Sequence, residues 1–365
     1  INADLIIWRW KYRMKWLIYP YTPKSIPIIK NKSLLKCGEV VQVSAPLGFG
    51  LEGKNGYIWG NEKSEYIIRN KIEQEIDGIW ITPEIGYMSI DEILKALEKL
   101  PIANKKIYYS AYLNIDDENK IIDLCKNKGA KEIVKQVSAS DIELSVSDNV
   151  LYKFDTPIVA VAGTGSFTQK FDLQLYLRKE LLNLGYKVSQ VGTRPYCEMF
   201  DFQSMPKWMF DSTYTDREKV YAFNHFLKMI ELKEKPEVII IGMPEGIIPF
   251  NEKHQQGFGL CAYEICSAVH PDYLIMSLYN GEYTQQFLDE MNNLTKYRLH
   301  VEIDDFYVSN YVPMSTSYKK EHMVFSYSEN KKNGNMLFNI DDMKSDTWIK
   351  KLIDKLSMYS EYEVI

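Results

Sequence analysis

Along most of the chain, two kinds of pattern of apolar and polar residues alternate. Short runs rich in β-branched and aromatic residues are too brief for helices and predict buried strands. These runs cover residues 15–21, 39–45, 77–82, 106–111, 132–136, 158–162, 187–191, 238–241, 273–278 and 299–303. Longer runs with apolar residues three or four apart predict helices over residues 26–35, 90–100, 116–128, 173–184, 216–231, 257–269, 284–294 and 346–358. This alternation predicts an α/β fold with doubly wound parallel sheets.

Local signals refine this pattern at a few positions. Residues 67–75 fit either a strand or a helix, and residues 323–326 fit an edge strand. Ser89 stands where the N-cap of a helix is expected, with acidic residues in the first turn behind it. Gly185 stands where the helix over residues 173–184 should end.

The alternation is lost over residues 138–156, and Pro157 precedes a new strand. We therefore predict two domains: a Rossmann-like domain over residues 14–137 and a phosphate-loop-like domain over residues 157–365, joined by a linker at 138–156, with a ligand cleft between them. Residues 1–13 mix charges into an apolar stretch and are expected to be an extension outside the fold. An amphipathic surface anchor is the alternative interpretation of that segment.

Composition narrows the class of protein. The 365 residues are 45% hydrophobic and 25% charged, as is ordinary for soluble globular proteins. A net charge of -5 without a basic arm argues against a nucleic-acid binder, and no apolar run is long enough to predict a membrane span. The five cysteines form no CxxC pair, which argues against structural zinc and favours a reducing cytoplasm.

One stretch has the local architecture of a phosphate-binding loop. A buried strand over residues 158–162 leads into glycine, hydroxyl and lysine residues, and an amphipathic helix follows. Unpaired N–H groups at the helix start, the positive end of the macrodipole and a lysine ammonium would converge on one point. The predicted phosphate-binding residues are Gly163, Thr164, Gly165, Ser166, Phe167, Thr168, Gln169, Lys170 and Phe171.

This loop departs from the GxxxxGK[ST] motif at three positions. With Lys170 on the motif lysine, Thr164 stands on the first motif glycine, one residue after Gly163. Gln169 replaces the second glycine, and Phe171 replaces the hydroxyl that binds Mg²⁺. Replacing the glycine matters because close approach to a phosphate usually requires a positive φ. Anion binding is therefore favoured over hydrolysis unless Asp172 or a distant carboxylate holds the metal. The alternative is a plain strand–turn–helix crossover with a solvated Lys170.

Glu245 is the second metal candidate, in a Gly/Pro turn after the strand over residues 238–241. Carboxylates at strand ends can bind Mg²⁺ or orient a water, although Gly242 stands where such an acid usually lies. A solvated turn carboxylate is the alternative. His254 could act as an acid or base, and Arg194 could clamp a phosphate or carboxylate. Glu245, His254 and Arg194 are thus the catalytic candidates, and no assignment among them follows from the sequence.

Several other signals favour structural interpretations. Residues 48–53 match GxGxxG literally, but the residues that follow break a helix, which favours a glycine loop over a dinucleotide site. Cys197 is more plausible as an inert thiol than as a nucleophile. The aromatic residues over 200–210 are more often core or interface than a base-stacking platform. Asp304 and Asp305 are expected to close a strand, either facing a metal or in an exposed turn.

Two resemblances rest on these motifs. From Ile158 to about Gly281 the chain resembles the dethiobiotin-synthetase-like branch of phosphate-loop proteins, in which a strand runs into a GT pair followed within a few residues by GK-[ST]. Gly163, Thr164 and Lys170 match that pattern. Over nearly its whole length the chain resembles the clostridial "peptide maturation system" family, through KWLIYPY, GFGLEGK, GTGSFTQKFDLQL and YKVSQVGTRPYCEMF. That resemblance implies a cytoplasmic accessory protein encoded beside radical-SAM peptide maturases.

The leading hypothesis is a nucleotide- or phosphate-binding accessory protein of ribosomal peptide maturation. If it is an enzyme, it would be an ATP- or GTP-dependent ligase or kinase-like enzyme using Mg²⁺, with a precursor peptide or a radical-SAM maturase as partner. The competing hypothesis is a non-catalytic scaffold with a degenerate phosphate loop that binds a peptide or the maturase. Gln169 and Phe171 favour the scaffold, whereas Lys170 and the Gly-Thr start favour the nucleotide. Both hypotheses leave open whether the chain is a homodimer.

Overall fold

The structure is a computed structural model that describes residues 14–58, 63–111, 113–135, 150–314, 323, 325–328, 337–338 and 346–358. Packing divides the chain into two compact units, Ile1–Asp141 with Arg194–Ser204, and Ile142–Thr193 with Met205–Ile365. The chain therefore leaves the second unit after Thr193, contributes one segment to the first, and re-enters the second at Met205. The predicted extension at 1–13 and most of the predicted linker at 138–156 lie outside the described residues.

The elements of residues 14–135 follow the predicted alternation. The strands are β1 (Met14–Tyr19), β2 (Gly38–Val43), β3 (Gly78–Ile81), β4 (Lys106–Tyr109) and β5 (Glu132–Lys135). The α-helices are α1 (Ile26–Lys30), α2 (Ile90–Glu98) and α3 (Ile115–Asn127), with 3-10 turns at Pro23–Ser25, Lys32–Leu34 and Pro83–Tyr87. Ser89 caps α2 as predicted, because it and Glu92 form a capping box.

The elements of residues 150–358 continue the numbering. The strands are β6 (Ile158–Gly163), β7 (Val188–Gly192), β8 (Gln203–Ser204), β9 (Val238–Gly242), β10 (Tyr273–Leu278), β11 (Asp305–Val308), β12 (Tyr311–Pro313), β13 (Phe325–Tyr327) and β14 (Leu337–Phe338). The α-helices are α4 (Lys170–Asn183), α5 (Asp216–Glu234), α6 (Leu260–Ala268), α7 (Gln285–Leu299) and α8 (Asp346–Ser357). Short 3-10 turns lie at Cys197–Phe200, Lys207–Phe210 and Gln256–Gly259.

The first unit contains a five-stranded parallel sheet in the order β2-β1-β3-β4-β5. Helices α2 and α3 bury apolar side chains against one face of it, including Ile93, Leu97 and Ile121. The chain leaves β1 toward β2 and leaves β3 in the opposite direction, toward β4. The carboxyl ends of β1 and β3 therefore form the switch point of this sheet, the place where doubly wound folds bind ligands.

The main sheet of the second unit contains strands in the order β14-β11-β10-β6-β9-β7, and all of the described pairings among them are parallel. Strands β12 and β13 form a separate antiparallel pair. Leucines of α4 and apolar residues of α8 pack on one face in a single core cluster. Right-handed crossovers put α5, α6 and α7 on the other face. Because the chain leaves β6 toward β7 and leaves β10 toward β11, the switch point lies at the carboxyl ends of β6 and β10.

The predicted fold class, two doubly wound parallel-sheet α/β domains, is confirmed by these sheets. Within the described residues, no helix is long and apolar enough to cross a membrane. Every residue of β6 and of β9 is buried, which is why these strands appear in the sequence as continuous apolar runs.

Four predicted elements are wrong or shifted. Residues 67–75 form neither a helix nor a strand. Within this stretch, Ile67 and Arg69 make isolated β-bridges with Asn55 and Ser44. The strand expected at 299–303 is absent, because α7 continues to Leu299 and the strand β11 begins only at Asp305, where it pairs with Ile275 of β10. The helix expected from residue 257 begins only at Leu260. The strand expected at 323–326 lies at Phe325–Tyr327 and pairs with β12 rather than with an edge of the main sheet.

Candidate functional site

The predicted phosphate-binding loop runs from Thr164 to Gln169 at the switch point of the second sheet. The Thr164 N–H donates to the carbonyl of Ser277 at 2.9 Å, which fastens the start of the loop to β10. The Ser277 hydroxyl donates to the carbonyl of Thr168 and fastens the end of the loop to the same strand. The loop is therefore held in shape by the neighbouring strand.

Gln169 adopts the left-handed conformation that a glycine would supply in the phosphate-loop motif, with φ of 58°. Its side-chain Oε1 accepts the N–H of Asn310 at 2.6 Å and the hydroxyl of Tyr307 at 3.5 Å. This buried anchor offsets the cost of about 1–2 kcal/mol that a left-handed conformation imposes on a residue with a Cβ. Replacing the motif glycine by Gln169 therefore does not remove the positive φ, contrary to the concern raised by the sequence.

Lys170 is buried, with 8% of its surface exposed, and is not the solvated lysine of the alternative interpretation. Its ammonium donates to the carbonyl of Gly165 at 2.7 Å and to the carbonyl of Glu245. Carbonyls carry partial rather than full negative charge, and the ammonium lies at the positive end of α4. The local electrostatics at this point favour an anion.

Two glycines allow the loop to meet the turn after β9. A Cβ on Gly246 would lie 2.7 Å from the Cα of Gly165, and a Cβ on Gly165 would overlap the hydroxyl of Tyr279. The Ile247 N–H also donates to the carbonyl of Gly163 at 3.0 Å. The structure thus brings together the two motifs that the sequence singled out separately, the loop and the Glu245–Gly246 turn.

Gln256, in the 3-10 turn before α6, hydrogen-bonds to the loop. Its Oε1 accepts both the N–H of Ser166 at 3.0 Å and the hydroxyl of Ser166 at 3.2 Å. Gln256, Gly257, Phe258 and Gly259 all have positive φ, and thus form a left-handed turn. Since left-handed residues with a Cβ are strained, this turn persists only because its surroundings hold it. A carboxamide oxygen therefore occupies a position at the loop that a ligand oxygen could also take.

An aromatic cluster covers the outer side of the loop. The ring of Phe167 lies 4.6 Å from that of Phe325 and 6.1 Å from that of Tyr311, measured between centroids. Tyr279 stacks on Phe325 at 5.8 Å and meets Phe250 edge-on at 6.0 Å. These rings pack on one another, so Phe167 of the loop belongs to an aromatic cluster.

The residues do not fit the Mg²⁺ site that the phosphate-loop resemblance implies. Phe171, at the position of the metal-binding hydroxyl, is apolar and only 3% exposed. Asp172 is half-buried, and Glu245 is exposed with its carboxylate against Gly257. Among the described residues, no three or more His, Cys, Asp or Glu side chains are grouped so as to hold a metal. The loop region therefore fits an anion better than it fits a metal–phosphate complex.

The comparisons with known proteins show the fold. No protein-family model matches the sequence, and no curated protein matches it. Among solved structures, the chain is similar to a DUF1611 family protein from Anabaena variabilis, with a TM-score of 0.55 and 10% sequence identity. The match covers 81% of this chain and 88% of that protein, so the likeness extends over most of both chains.

The remaining catalytic candidates belong to different compact units. His254 lies in the turn before the left-handed segment, where its N–H donates to Asn251 Oδ1 at 2.9 Å. Arg194 belongs to the segment that packs with the first unit. Cys197 is fully buried, and burial raises the pKa of its thiol well above the ordinary range, which supports the inert interpretation. The roles predicted for Glu245, His254 and Arg194 stay predictions.

The two aspartates at the start of β11 have a structural position that the sequence interpretation missed. Asp305 accepts the hydroxyl of Tyr273, the indole N–H of Trp348 at 3.0 Å and the ammonium of Lys351 at 2.6 Å. Asp304 precedes β11 and Asp305 begins it, so neither closes a strand, and both lie at the amino end of the sheet, away from the loop. They anchor α8 instead of facing a metal.

Two residues that shape the loop were not singled out individually from the sequence, namely Gln256 and Tyr279. Gln256 is one of two adjacent glutamines, and only the left-handed turn decides which of them reaches Ser166. Tyr279 directly follows β10, so its place at a carboxyl strand end was a usable signal. Neither role could be assigned without knowing that β10 is the neighbour of β6.

Proposed function

We propose that this chain binds the phosphoryl group of a ligand at the loop between β6 and α4. The observation that carries the proposal is the burial of Lys170 at the start of a 14-residue helix, with uncharged carbonyls of Gly165 and Glu245 among its acceptors. Gln169 gives the helix no side-chain cap. A phosphate would accept from this N-terminus and contact the Lys170 ammonium at the same time.

The biological setting of this proposal comes from the sequence resemblance alone. Similarity to the clostridial peptide maturation family favours an accessory role in the modification of ribosomally made peptides. In that setting the phosphoryl group would belong to ATP or GTP, and an enzymatic role would be that of a ligase or a kinase-like enzyme. A metal-dependent step is not part of this proposal, because Phe171 and the residues around it do not fit a metal.

The second candidate function is the non-catalytic scaffold. The contact between Gln256 and Ser166 favours it, since the chain fills part of the loop with its own carboxamide. The aromatic cluster around Phe167 favours it as well, because the ring that the loop contributes is already engaged with other rings of the chain. A scaffold would retain the strand–loop–helix geometry without binding nucleotide.

Calorimetric titration separates the two functions. Inorganic phosphate, ADP and ATP, each with and without Mg²⁺, would be titrated into the wild type, Lys170→Met and Lys179→Met. Lys179 lies on the same helix with an exposed side chain, so its variant is the matched control. We expect the wild type and Lys179→Met to bind alike, and Lys170→Met to bind about tenfold or more weakly.

Thermal melting of each variant confirms that its fold is retained. Absence of binding by the wild type at about 5 mM of every probe would refute the phosphoryl site and favour the scaffold. Equal binding by Lys170→Met would also refute it, because the buried ammonium would then make no contact with the ligand.

A further inference from the structure

A second group of polar side chains lies in the first unit, at the switch point of its own sheet. Lys24 and Ser25 follow β1, Glu84 follows β3, and Arg194 comes from the segment that returns to this unit. The Thr82 hydroxyl donates to the Pro20 carbonyl at 2.7 Å, which joins the ends of the two strands. The topology thus collects charged residues where doubly wound folds bind ligands.

Two polar atoms in this group are buried without a partner. Glu84 is 3% exposed, and its Oε2 accepts no hydrogen bond from any residue that the structure describes. The hydroxyl of Ser25, in a residue 1% exposed, is equally unpartnered among the described residues. Burying an acceptor and a hydroxyl without partners costs free energy, so such atoms in a native fold call for an explanation. A ligand that donates a hydrogen bond would supply the partner that Glu84 Oε2 lacks.

Two cations complete the group. Lys24 and Arg194 are half-buried, and burial followed by the positive charge of Arg194 lowers the pKa of Lys24, whereas Glu84 raises it. Arg194 and Glu84 therefore each lie within electrostatic range of Lys24. Two cations held close together in a partly buried place attract an anion, which relieves their mutual repulsion.

The segment that supplies Arg194 is fixed to the first unit. The ring of Tyr196 meets the ring of Trp80 of β3 edge-on, at 5.4 Å between centroids. The Lys36 N–H donates to the carbonyl of Met199 at 3.1 Å. These contacts hold the backbone on both sides of Cys197, so Arg194 is positioned by packing within one unit.

We propose that Lys24, Ser25, Glu84 and Arg194 form a binding site for a small organic acid that carries a hydrogen-bond donor beside its carboxylate. The carboxylate would pair with Lys24 and Arg194, as two cations require. The neighbouring hydroxyl or ammonium would donate to Glu84 Oε2, and Ser25 would complete the contact. The site shares no residue with the phosphoryl loop, so this proposal can be tested independently of the proposed function.

Binding of matched acids to the whole chain tests this site. The probes are α-hydroxy acids, α-amino acids and the unsubstituted carboxylic acids of equal chain length, titrated by calorimetry. We expect at least one probe with a donor to bind about tenfold more tightly than its unsubstituted counterpart. Preference between hydroxy and amino acids then identifies the donor, since an ammonium would pair with the Glu84 carboxylate.

Variants assign the binding to these residues. Glu84→Gln keeps the shape of the side chain and should remove the preference for a donor, whereas Arg194→Gln should weaken all acids about tenfold. Glu98→Gln, on an exposed position of α2, and Lys179→Met, on an exposed position in the other unit, should leave the affinity unchanged. Melting curves show whether each variant is folded. Lys24→Gln tests the other cation and should weaken the binding of all acids, as Arg194→Gln does.

The proposal would be overturned by any of three results. The first is that no acid with a donor binds the wild type at about 10 mM. The second is that unsubstituted acids bind as tightly as their donor-bearing counterparts. The third is that Glu84→Gln and Arg194→Gln bind like the wild type while remaining folded.

Discussion

The carboxamide of Gln174 occupies the space that a side chain at Gly242 would need. Gln174 is fully buried one turn into α4, and neither polar atom of its side chain has a partner among the described residues. Gly242 ends β9, where phosphate-loop proteins usually place a metal-binding acid. In this chain an amide from the helix fills that place, and this is a physical reason why the site does not suit Mg²⁺.

The Gly242→Ala substitution should destabilise the fold, because the new methyl group overlaps Gln174. Overpacking of this kind costs about 1–3 kcal/mol of unfolding free energy. In a Gln174→Ala background the same substitution should cost much less, since the overlapping atoms are gone. Urea unfolding of the four proteins of this cycle measures the coupling. Equal costs in the two backgrounds would show that the carboxamide can move aside.

Gln169 should be more tolerant of glycine than of alanine. Both substitutions remove the acceptor of the Asn310 N–H, but only alanine keeps a Cβ in the left-handed conformation. We expect Gln169→Gly to be about 1 kcal/mol more stable than Gln169→Ala in chemical unfolding. The reverse order would mean that the loop changes its backbone conformation once the anchor is lost.

The Gln256→Ala substitution should tighten binding of a phosphoryl ligand to the loop. It frees the Ser166 N–H and hydroxyl, so a ligand can accept from both groups without first displacing the Gln256 carboxamide. The gain should be about twofold to tenfold in Kd, the value of a typical hydrogen bond. Gln255→Ala, at an exposed neighbouring position, is the control and should bind phosphate like the wild type. Weaker binding by Gln256→Ala would make Gln256 a ligand contact instead of a competitor.

Stability should decrease between mildly acidic and neutral pH because of Glu264. Burial raises the pKa of this side chain to about 7 from its ordinary 4.5, and Lys219, 3.6 Å away, offsets only part of the shift. The folded protein therefore holds this proton more tightly than the unfolded chain. The free energy of unfolding should fall as pH rises through this window and level off above it.

Melting temperatures measured across that pH range test the prediction. Glu264→Gln should flatten the decline, and Glu282→Gln, on an exposed position, should retain it. Part of the slope will remain, because burial also raises the pKa of Asp272 to about 6. An unchanged slope in Glu264→Gln would assign the whole effect to other groups.

The sequence predicts most of the fold because its strands are buried on both faces. Val238–Gly242 and Tyr273–Leu278 consist almost wholly of apolar residues, which no surface element would tolerate. The misplaced strand near residue 300 shows the limit of this signal. There α7 continues to Leu299 because Leu299 packs into the core, and a short apolar run looks alike in a helix and in a strand.

The candidate sites were less predictable, because they depend on which strands are neighbours. The loop over Thr164–Gln169 could be found from its glycines, hydroxyls and lysine. The carbonyl of Glu245 at Lys170, and Gln256 at Ser166, required the order of the strands. Likewise Arg194 could be named as an anion clamp, but nothing in the sequence assigns it to the same unit as Glu84.

The return of Arg194–Ser204 to the first unit limits how the protein can be dissected by truncation. A fragment that ends near residue 141 lacks Tyr196, and the edge of Trp80 that this ring covers would face water. The complementary fragment would carry an eleven-residue excursion (194 to 204, counted inclusively) with an unburied Phe200 and Met199. Ligand-binding measurements on separately expressed halves would therefore be made on fragments with exposed core residues. Point variants of the intact chain are the appropriate tool.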